Sequence, residues 1–310
     1  MAASETGKSS AAGKRNYQRE MEQILESLGG ECSPSSALGG DTCDGIVLGG
    51  DTCDKPRLDG TAPETCGSPA PHHSAPAPNS KAYAPATNCT AQGKPSLLLH
   101  ACCGPCSSYC LETLVPYFDI TIYYYNPNIS PQQEYARRLS ELEKFLTRFP
   151  AALSGGVKLV EATYDPEDFF TATNVRNEPE LAAEPERGER CRRCYELRMK
   201  KAYEYASANG FDWFTTTLSI SPHKDAEKIN TIGFALERSA LEAAQSEAAQ
   251  VAAEPQESGH ESQPQKKATR FLPSDFKKKN GFLRSTQITE EYGMWRQDYC
   301  GCIYSMRKGL

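Results

Sequence analysis

From Ser96 onward, short β-rich runs alternate with amphipathic helical stretches, and this alternation restricts the fold more than any other feature of the chain. SLLLH (96–100) reads as a buried strand, DITIYYY (119–125) as a second, VKLVEAT (157–163) as a third and DWFTTTL (212–218) as a fourth. Between them the spacing predicts helices: PCSSYCLETLVPYF, then 131–149 with Pro131 in its first turn, a short one beginning near Asp165-Pro166, a long one over 189–209, and PHKDAEKINTIGFALE. Strands separated by helices pair in parallel and need cover on both faces. The expected fold is a three-layer α/β domain, with a mostly parallel sheet and helices on both faces.

The rest of the chain differs in composition. NYQREMEQILESL (16–28) places Met21, Ile24, Leu25 and Leu28 at helical spacing, which gives an N-terminal helical segment over 1–29. From Gly29 to about Lys94 the chain is rich in Gly, Pro, Ser, Ala and Thr, and LGGDTCD occurs twice, at 38–44 and 48–54. Such a tract buries too little apolar surface to offset its ordering entropy, so 30–94 is expected to be a disordered insertion. Its cysteines (Cys32, Cys43, Cys53, Cys66 and Cys89) are irregularly spaced and read as unpaired thiols. The catalytic domain is then 95–310, interrupted by a second low-complexity insertion at about 239–267.

With 310 residues and a net charge of −6, the chain can build one sizeable domain with extensions. No stretch approaches the roughly 20 apolar residues of a membrane span. MAASETGKSSAAGKR lacks the apolar core of a secretory signal, so a cytoplasmic, reducing location without a membrane partner is expected. The acidic total does not argue for nucleic acid, yet the C-terminal portion is locally basic (Lys277, Lys278, Lys279, Arg284, Arg296, Arg307, Lys308).

Chemistry is carried by cysteine. Of 13 cysteines, seven fall in tight groups: Cys102, Cys103 and Cys106 in HACCGPC, Cys191 and Cys194 in RCRRC, and Cys300 and Cys302 in YCGC. Thiolates drawn from three remote segments are the usual way to hold zinc or an iron–sulfur cluster. In a Rossmann-like or adenine-nucleotide-hydrolase-like sheet, ligands bind at the carboxyl ends of the strands. HACCGPC follows the first strand at that place, where a nucleotide binder carries a Gly-rich phosphate loop. No G-x-x-x-x-G-K-[ST] occurs and no G-x-G-x-x-G follows a strand, which argues against ATP use. Cys102 and Cys103, being adjacent, are expected to diverge and serve one cluster from two directions or two neighbouring metals. The Cys191–Cys194 pair opens a helix, whose dipole favours thiolate. Seven sulfurs exceed one four-coordinate site, which leaves one metal site plus a redox pair, or two adjacent sites. Cys110 lies on a face with Leu114 and reads as core.

Supporting residues sit on the same rim. His100 ends the first strand and reads equally as a proton donor or a satisfied core histidine. His223 and Lys224 follow the fourth strand and are expected to contact substrate, while Asn126, in YYYNPNISP, is expected on the RNA-facing rim. Asp298 and Tyr299 precede the last thiol pair and are candidate proton donors. FKKKNGF presents Lys277, Lys278 and Lys279 between aromatics, a pattern suited to phosphate contact and base stacking.

Together, LLLHACCGPCSSYCLE, YYYNPNISPQQEYARR, GERCRRCYELRM, TTTLSISPHKD, FLPSDFKKKNG and WRQDYCGCIYS resemble the QueH family of epoxyqueuosine reductases. The likeness covers the N-terminal helix and nearly everything from Pro95 to Arg307 apart from 239–267. It implies an iron–sulfur oxidoreductase for the last step of queuosine formation, working without cobalamin. The substrate would be epoxyqueuosine at the wobble position of tRNAs with GUN anticodons (those for Asp, Asn, His and Tyr), with an unidentified electron donor. Carried over by motif, Cys102, Cys103, Cys191 and Cys194 match the ligands of a 4Fe–4S cluster, with Cys106 supporting. Cys300 and Cys302 match a pair that is either redox-active or binds an additional mononuclear iron. Asp298 and His223 would then donate protons. Two other classes stay open on sequence: a zinc-stabilised RNA-binding module without catalysis, and a metal-free thiol oxidoreductase.

Overall fold

The computed structural model describes residues 15–30, 93–253 and 268–306. The expected disorder of 31–92 with its five cysteines, the 254–267 part of the second insertion, and Arg307 and Lys308 lie outside the described residues.

Five strands form one sheet: β1 (Ser96–His100), β2 (Asp119–Tyr124), β3 (Lys158–Glu161), β4 (Trp213–Thr216) and β5 (Arg270–Phe271). Their order is β3-β2-β1-β4-β5, and every pairing is parallel. The chain builds outward from β1 through β2 to β3, then crosses back to lay β4 on the other side of β1. The gap between the carboxyl ends of β1 and β4 is therefore a topological switch point, where open α/β sheets bind ligands.

The layers follow from period-2 alternation. Leu97 and Leu99 of β1, Ile120, Ile122 and Tyr124 of β2, and Trp213 of β4 face one core. Leu98, Tyr123, Tyr125 and Phe214 face the opposite one. Against the first core pack α1 (Tyr17–Gly30), α2 (Gly104–Leu114), α3 (Gln132–Leu146), α4 (Pro150–Ser154) and α9 (Gly281–Glu291). The second is closed by α7 (Glu189–Ala208) and α8 (Ala226–Ala253). Short helices α5 (Pro166–Thr173) and α6 (Glu180–Ala183) lead into α7, and Asp165 caps α5 by accepting from the Glu167 amide at 2.9 Å. The three-layer expectation holds, and α1 joins the core through buried Met21 and Leu25.

Helix α8 departs from the sequence reading. It continues to Ala253, through the first half of the stretch read as a low-complexity insertion. SALEAAQSEAAQVAA is built from strong helix formers, so it extends the helix, and residues 241–246 are exposed.

A candidate thiolate–metal site at the switch point

Strand β1 delivers the first thiols. His100 is fully buried between its neighbours, with Nδ1 2.8 Å from Thr216 Oγ1 on β4 and Nε2 3.1 Å from the Tyr125 carbonyl. Burial pushes its pKa down to about 3, so it is a neutral staple across the strands. Cys103 then leaves the strand in extended conformation (φ −173°, ψ 164°) as the N-cap of α2, and Cys106 stands in the first turn of that helix. The Sγ atoms of Cys102 and Cys103 are 3.8 Å apart, and all three sulfurs lie within 4.8 Å of one another. The expectation that adjacent Cys102 and Cys103 diverge is thus corrected: the bend at Cys102 and the turn into α2 fold both sulfurs to one side. Cys110 is buried, donates to the Cys106 carbonyl at 3.3 Å and is core, as expected.

Cys191 and Cys194 lie in the first two turns of α7. Cys300 and Cys302 arrive on an extended segment that bends at Gly301 (φ 112°). This segment is held from α3: Arg138 donates to the Cys300 carbonyl at 3.1 Å and to the Tyr299 carbonyl at 3.2 Å. The turn after β2 adds the Ser130 amide on the Gly301 carbonyl at 2.9 Å, and receives the Tyr299 hydroxyl on the Ser130 carbonyl at 2.6 Å. Cys302 packs with Cys194 and Phe169. The thiols therefore gather as a tight triad, Cys102, Cys103 and Cys106, and a second group, Cys191, Cys194, Cys300 and Cys302, whose charges interact. Cys102, Cys106 and Cys300 line one cavity of about 230 Å³.

Four cations are buried around these sulfurs: Arg138, Arg190, Arg198 and Lys224, none more than 7% exposed. Among the described residues only Arg138 of this set has a carboxylate partner, Glu134 at 2.7 Å. Arg198 donates to Asn126 Oδ1 at 2.5 Å and faces Cys194, Cys102 and Cys300. Burial opposes the charge on Lys224, but Cys300, Cys102 and Cys106 around it hold the ammonium protonated, above its ordinary range. A buried cation without a carboxylate needs another anion, and here Cys102 is the thiol held toward the anionic form. Hydrogen bonds from Cys103 and Cys106 hold Cys102 well below the usual thiol range, while the same network pushes Cys103 up to about 12 and Cys106 well above its ordinary value. Burial pushes Cys194 and Cys302 up to about 12 and raises Cys191. A bound metal would convert this proton-sharing set to thiolates and satisfy the cations. The donor chemistry and the buried positive charge fit an anionic metal–thiolate group.

The remaining sequence candidates divide sharply. His223 (side chain 68% exposed, Nδ1 3.5 Å from Glu186 Oε2), Asp298 and Tyr299 line the cavity. Lys224 lines it too, as a buried cation among thiols. Asn126 is also turned inward: it donates to the Ala101 carbonyl at 2.9 Å and accepts from Arg198, which ties the β1 loop to α7. Lys277 pairs with Asp275 at 2.6 Å and Lys279 with Glu22 at 2.6 Å, while exposed Lys278 has no ion pair among the described residues. Arg138, Arg198 and Gln297 were missed from sequence. Arg138 shares a helical face with Tyr135 and Leu142, and Arg198 with Cys194 and Ala202; a cation in an apolar register was the available signal.

Fold and site together define an α/β protein with a cysteine triad able to hold a metal at the switch point of a parallel sheet. A family model described as epoxyqueuosine reductase QueH matches residues 97–250 and 245–308. An epoxyqueuosine reductase QueH of Streptococcus pyogenes serotype M1 is 38% identical over 214 residues, covering 69% of this chain and 71% of the relative. Relatives of the same name from Staphylococcus epidermidis and Thermotoga maritima are 35% and 26% identical over 70% and 68% of this chain, and 79% and 90% of their own lengths. The chain belongs to the QueH family. Among the described residues no helix is long and apolar enough to cross a membrane.

Proposed function

We propose that this protein is an epoxyqueuosine reductase that removes the epoxide oxygen of epoxyqueuosine at the wobble position of tRNA. The observation that carries this reading is the convergence of three sulfurs within 4.8 Å of one another, two of them (Cys102 and Cys106) on the wall of a cavity that the buried ammonium of Lys224 also lines. Converting an epoxide to an alkene consumes two electrons and two protons and releases water. A bound 4Fe–4S cluster supplies low-potential electrons, which no side chain can. Its ligands in this reading are Cys102, Cys103, Cys191 and Cys194, with Cys106 beside them. Cys300 and Cys302 serve either as a redox pair or as ligands of an additional mononuclear iron.

The chain's own residues bind and protonate. The cavity of about 230 Å³ suits one modified base turned out of its stack. The Lys224 ammonium offers a fixed positive charge to oxygen as the C–O bond breaks, and His223 and Asp298 stand on the same wall as the proton donors of this reading. At the cavity wall the Arg296 guanidinium lies 5.5 Å from the centre of the Phe282 ring, a pairing that favours flanking bases and phosphates. Lys278, with Lys277 and Lys279, extends this basic surface toward the RNA. The substrates are tRNAs with GUN anticodons, the compartment is the cytoplasm, and the electron donor is a separate reductant.

A zinc site is a second reading with a specific observation behind it. Zn–S bonds of about 2.3 Å put tetrahedral sulfurs about 3.8 Å apart, the spacing of Cys102 and Cys103. Anaerobic purification followed by metal and sulfide analysis separates the two: iron with labile sulfide supports the reductase, and zinc without sulfide overturns it. Nucleoside analysis of tRNA from cells lacking the protein should show epoxyqueuosine accumulating. Turnover at the wild-type rate by a reconstituted Cys300→Ser, Cys302→Ser protein would remove that pair from the mechanism.

A further inference from the structure

Gln297 stands on the cavity wall and donates from Nε2 to Cys103 Sγ at 3.0 Å. Its other amide atom, Oε1, is buried and has no hydrogen-bond partner among the described residues. A buried unpartnered acceptor costs about 1–3 kcal/mol, so the oxygen does not anchor this amide in the fold. Among the described residues the sulfur contact is the one side-chain hydrogen bond that orients the group. The opposite flip would set Oε1 against the sulfur, and a metal-bound thiolate has no proton to offer an oxygen. The orientation seen is the one that suits a thiolate.

We infer that Gln297 sets the reduction potential of the thiolate-bound group by donating an N–H···S hydrogen bond to Cys103. The inference rests on the iron–sulfur reading above. A hydrogen bond to a ligand sulfur stabilises the electron-rich, reduced form more than the oxidised form, and such bonds are among the determinants of cluster potential. Gln297 is thus a positioning residue. It acts through Cys103, and it belongs to the 296–300 segment that supplies Arg296, Asp298, Tyr299 and Cys300 to the same cavity.

The test compares wild type, Gln297→Met and Gln297→Glu as anaerobically reconstituted full-length proteins, with iron and sulfide counted and the midpoint potential taken by spectroelectrochemical titration. At equal iron and sulfide content, both variants should have a lower potential than wild type, with Gln297→Glu the lower because it places an oxygen where the nitrogen stands. Potentials equal to wild type in variants that hold a full cluster would overturn the inference. If Gln297→Met fails to hold a cluster, the isosteric Gln297→Glu alone decides. A wild-type protein with no reducible chromophore would instead defeat the iron–sulfur reading, so the two failures are distinguishable.

Discussion

Arg138 on α3 reaches across 162 residues to donate to the carbonyl of Cys300 at 3.1 Å, and its Nε simultaneously binds Glu134 at 2.7 Å. One buried guanidinium therefore fixes the segment that carries the last thiol pair. Arg138→Leu should cost about 3 kcal/mol, since it strands a partly buried carboxylate and two carbonyls. Arg138→Lys should recover less than half of that, because one ammonium cannot reach all three acceptors. Urea denaturation of the three proteins measures both.

Gly301 sits at φ 112°, where a side chain is strained, and an added Cβ would lie 2.9 Å from Ile129 Cγ1 and 3.0 Å from Arg138 NH1. Gly301→Ala should destabilise the protein by about 1–3 kcal/mol and displace Cys300 and Cys302. Denaturation curves and metal content check the two effects separately.

The thiols should separate by role. Cys102→Ser and Cys194→Ser should each lower bound metal per chain at least severalfold, because both belong to the proposed ligand set. Cys110→Ser should keep its metal and lose about 1–3 kcal/mol of stability, a hydroxyl having replaced a buried thiol in the core. Metal analysis and thermal unfolding of the three variants test this contrast.

Tyr203 is buried against Phe214 and donates to the Thr269 carbonyl at 2.9 Å. Burial pushes its pKa up to about 12. The folded state keeps this proton after the unfolded chain, titrating near 10, has begun to lose it. Its contribution is complete below pH 10 and declines between about 10 and 12, by about 1.4 kcal/mol per pH unit. Tyr203→Phe should flatten that part of the stability–pH curve and cost about 1 kcal/mol at neutral pH through the lost hydrogen bond.

Lys278 is exposed and has no ion pair among the described residues, whereas Lys279 is tied to Glu22 at 2.6 Å. Lys278→Gln should weaken binding of an anticodon stem-loop and reduce the slope of log K against log salt by about 0.7. Lys279→Gln should change the slope less. Binding titrations at several salt concentrations measure both.

Much of this architecture was readable from the chain. Three of the strands are short runs rich in Leu, Ile, Tyr, Phe or Thr and the fourth, β3, is Lys-Leu-Val-Glu; their place between helical repeats locates them within a residue or three. Strand β5 is only Arg270–Phe271 and leaves no periodic trace, so tertiary pairing with β4 creates it. The thiol groups were legible because their spacing is local. Their partition into a triad and a second group was not, since it depends on where α7 and the 300–302 segment meet β1. Asn126 shows the same gap: residue type suggested an RNA-facing rim, while its side chain is buried and braces Arg198.

The wide separation in sequence between Cys103 and its hydrogen-bond donor Gln297, 194 residues, has a consequence for biogenesis. A ribosome adding about 5–20 residues per second makes the first thiols on the order of 10–40 s before their last partners emerge. Throughout that interval Cys102, Cys103 and Cys106 lack the C-terminal segment that walls them in. The full set of seven thiols exists only once Cys302 has been made, so a centre that draws on all of them can form only after that point of synthesis.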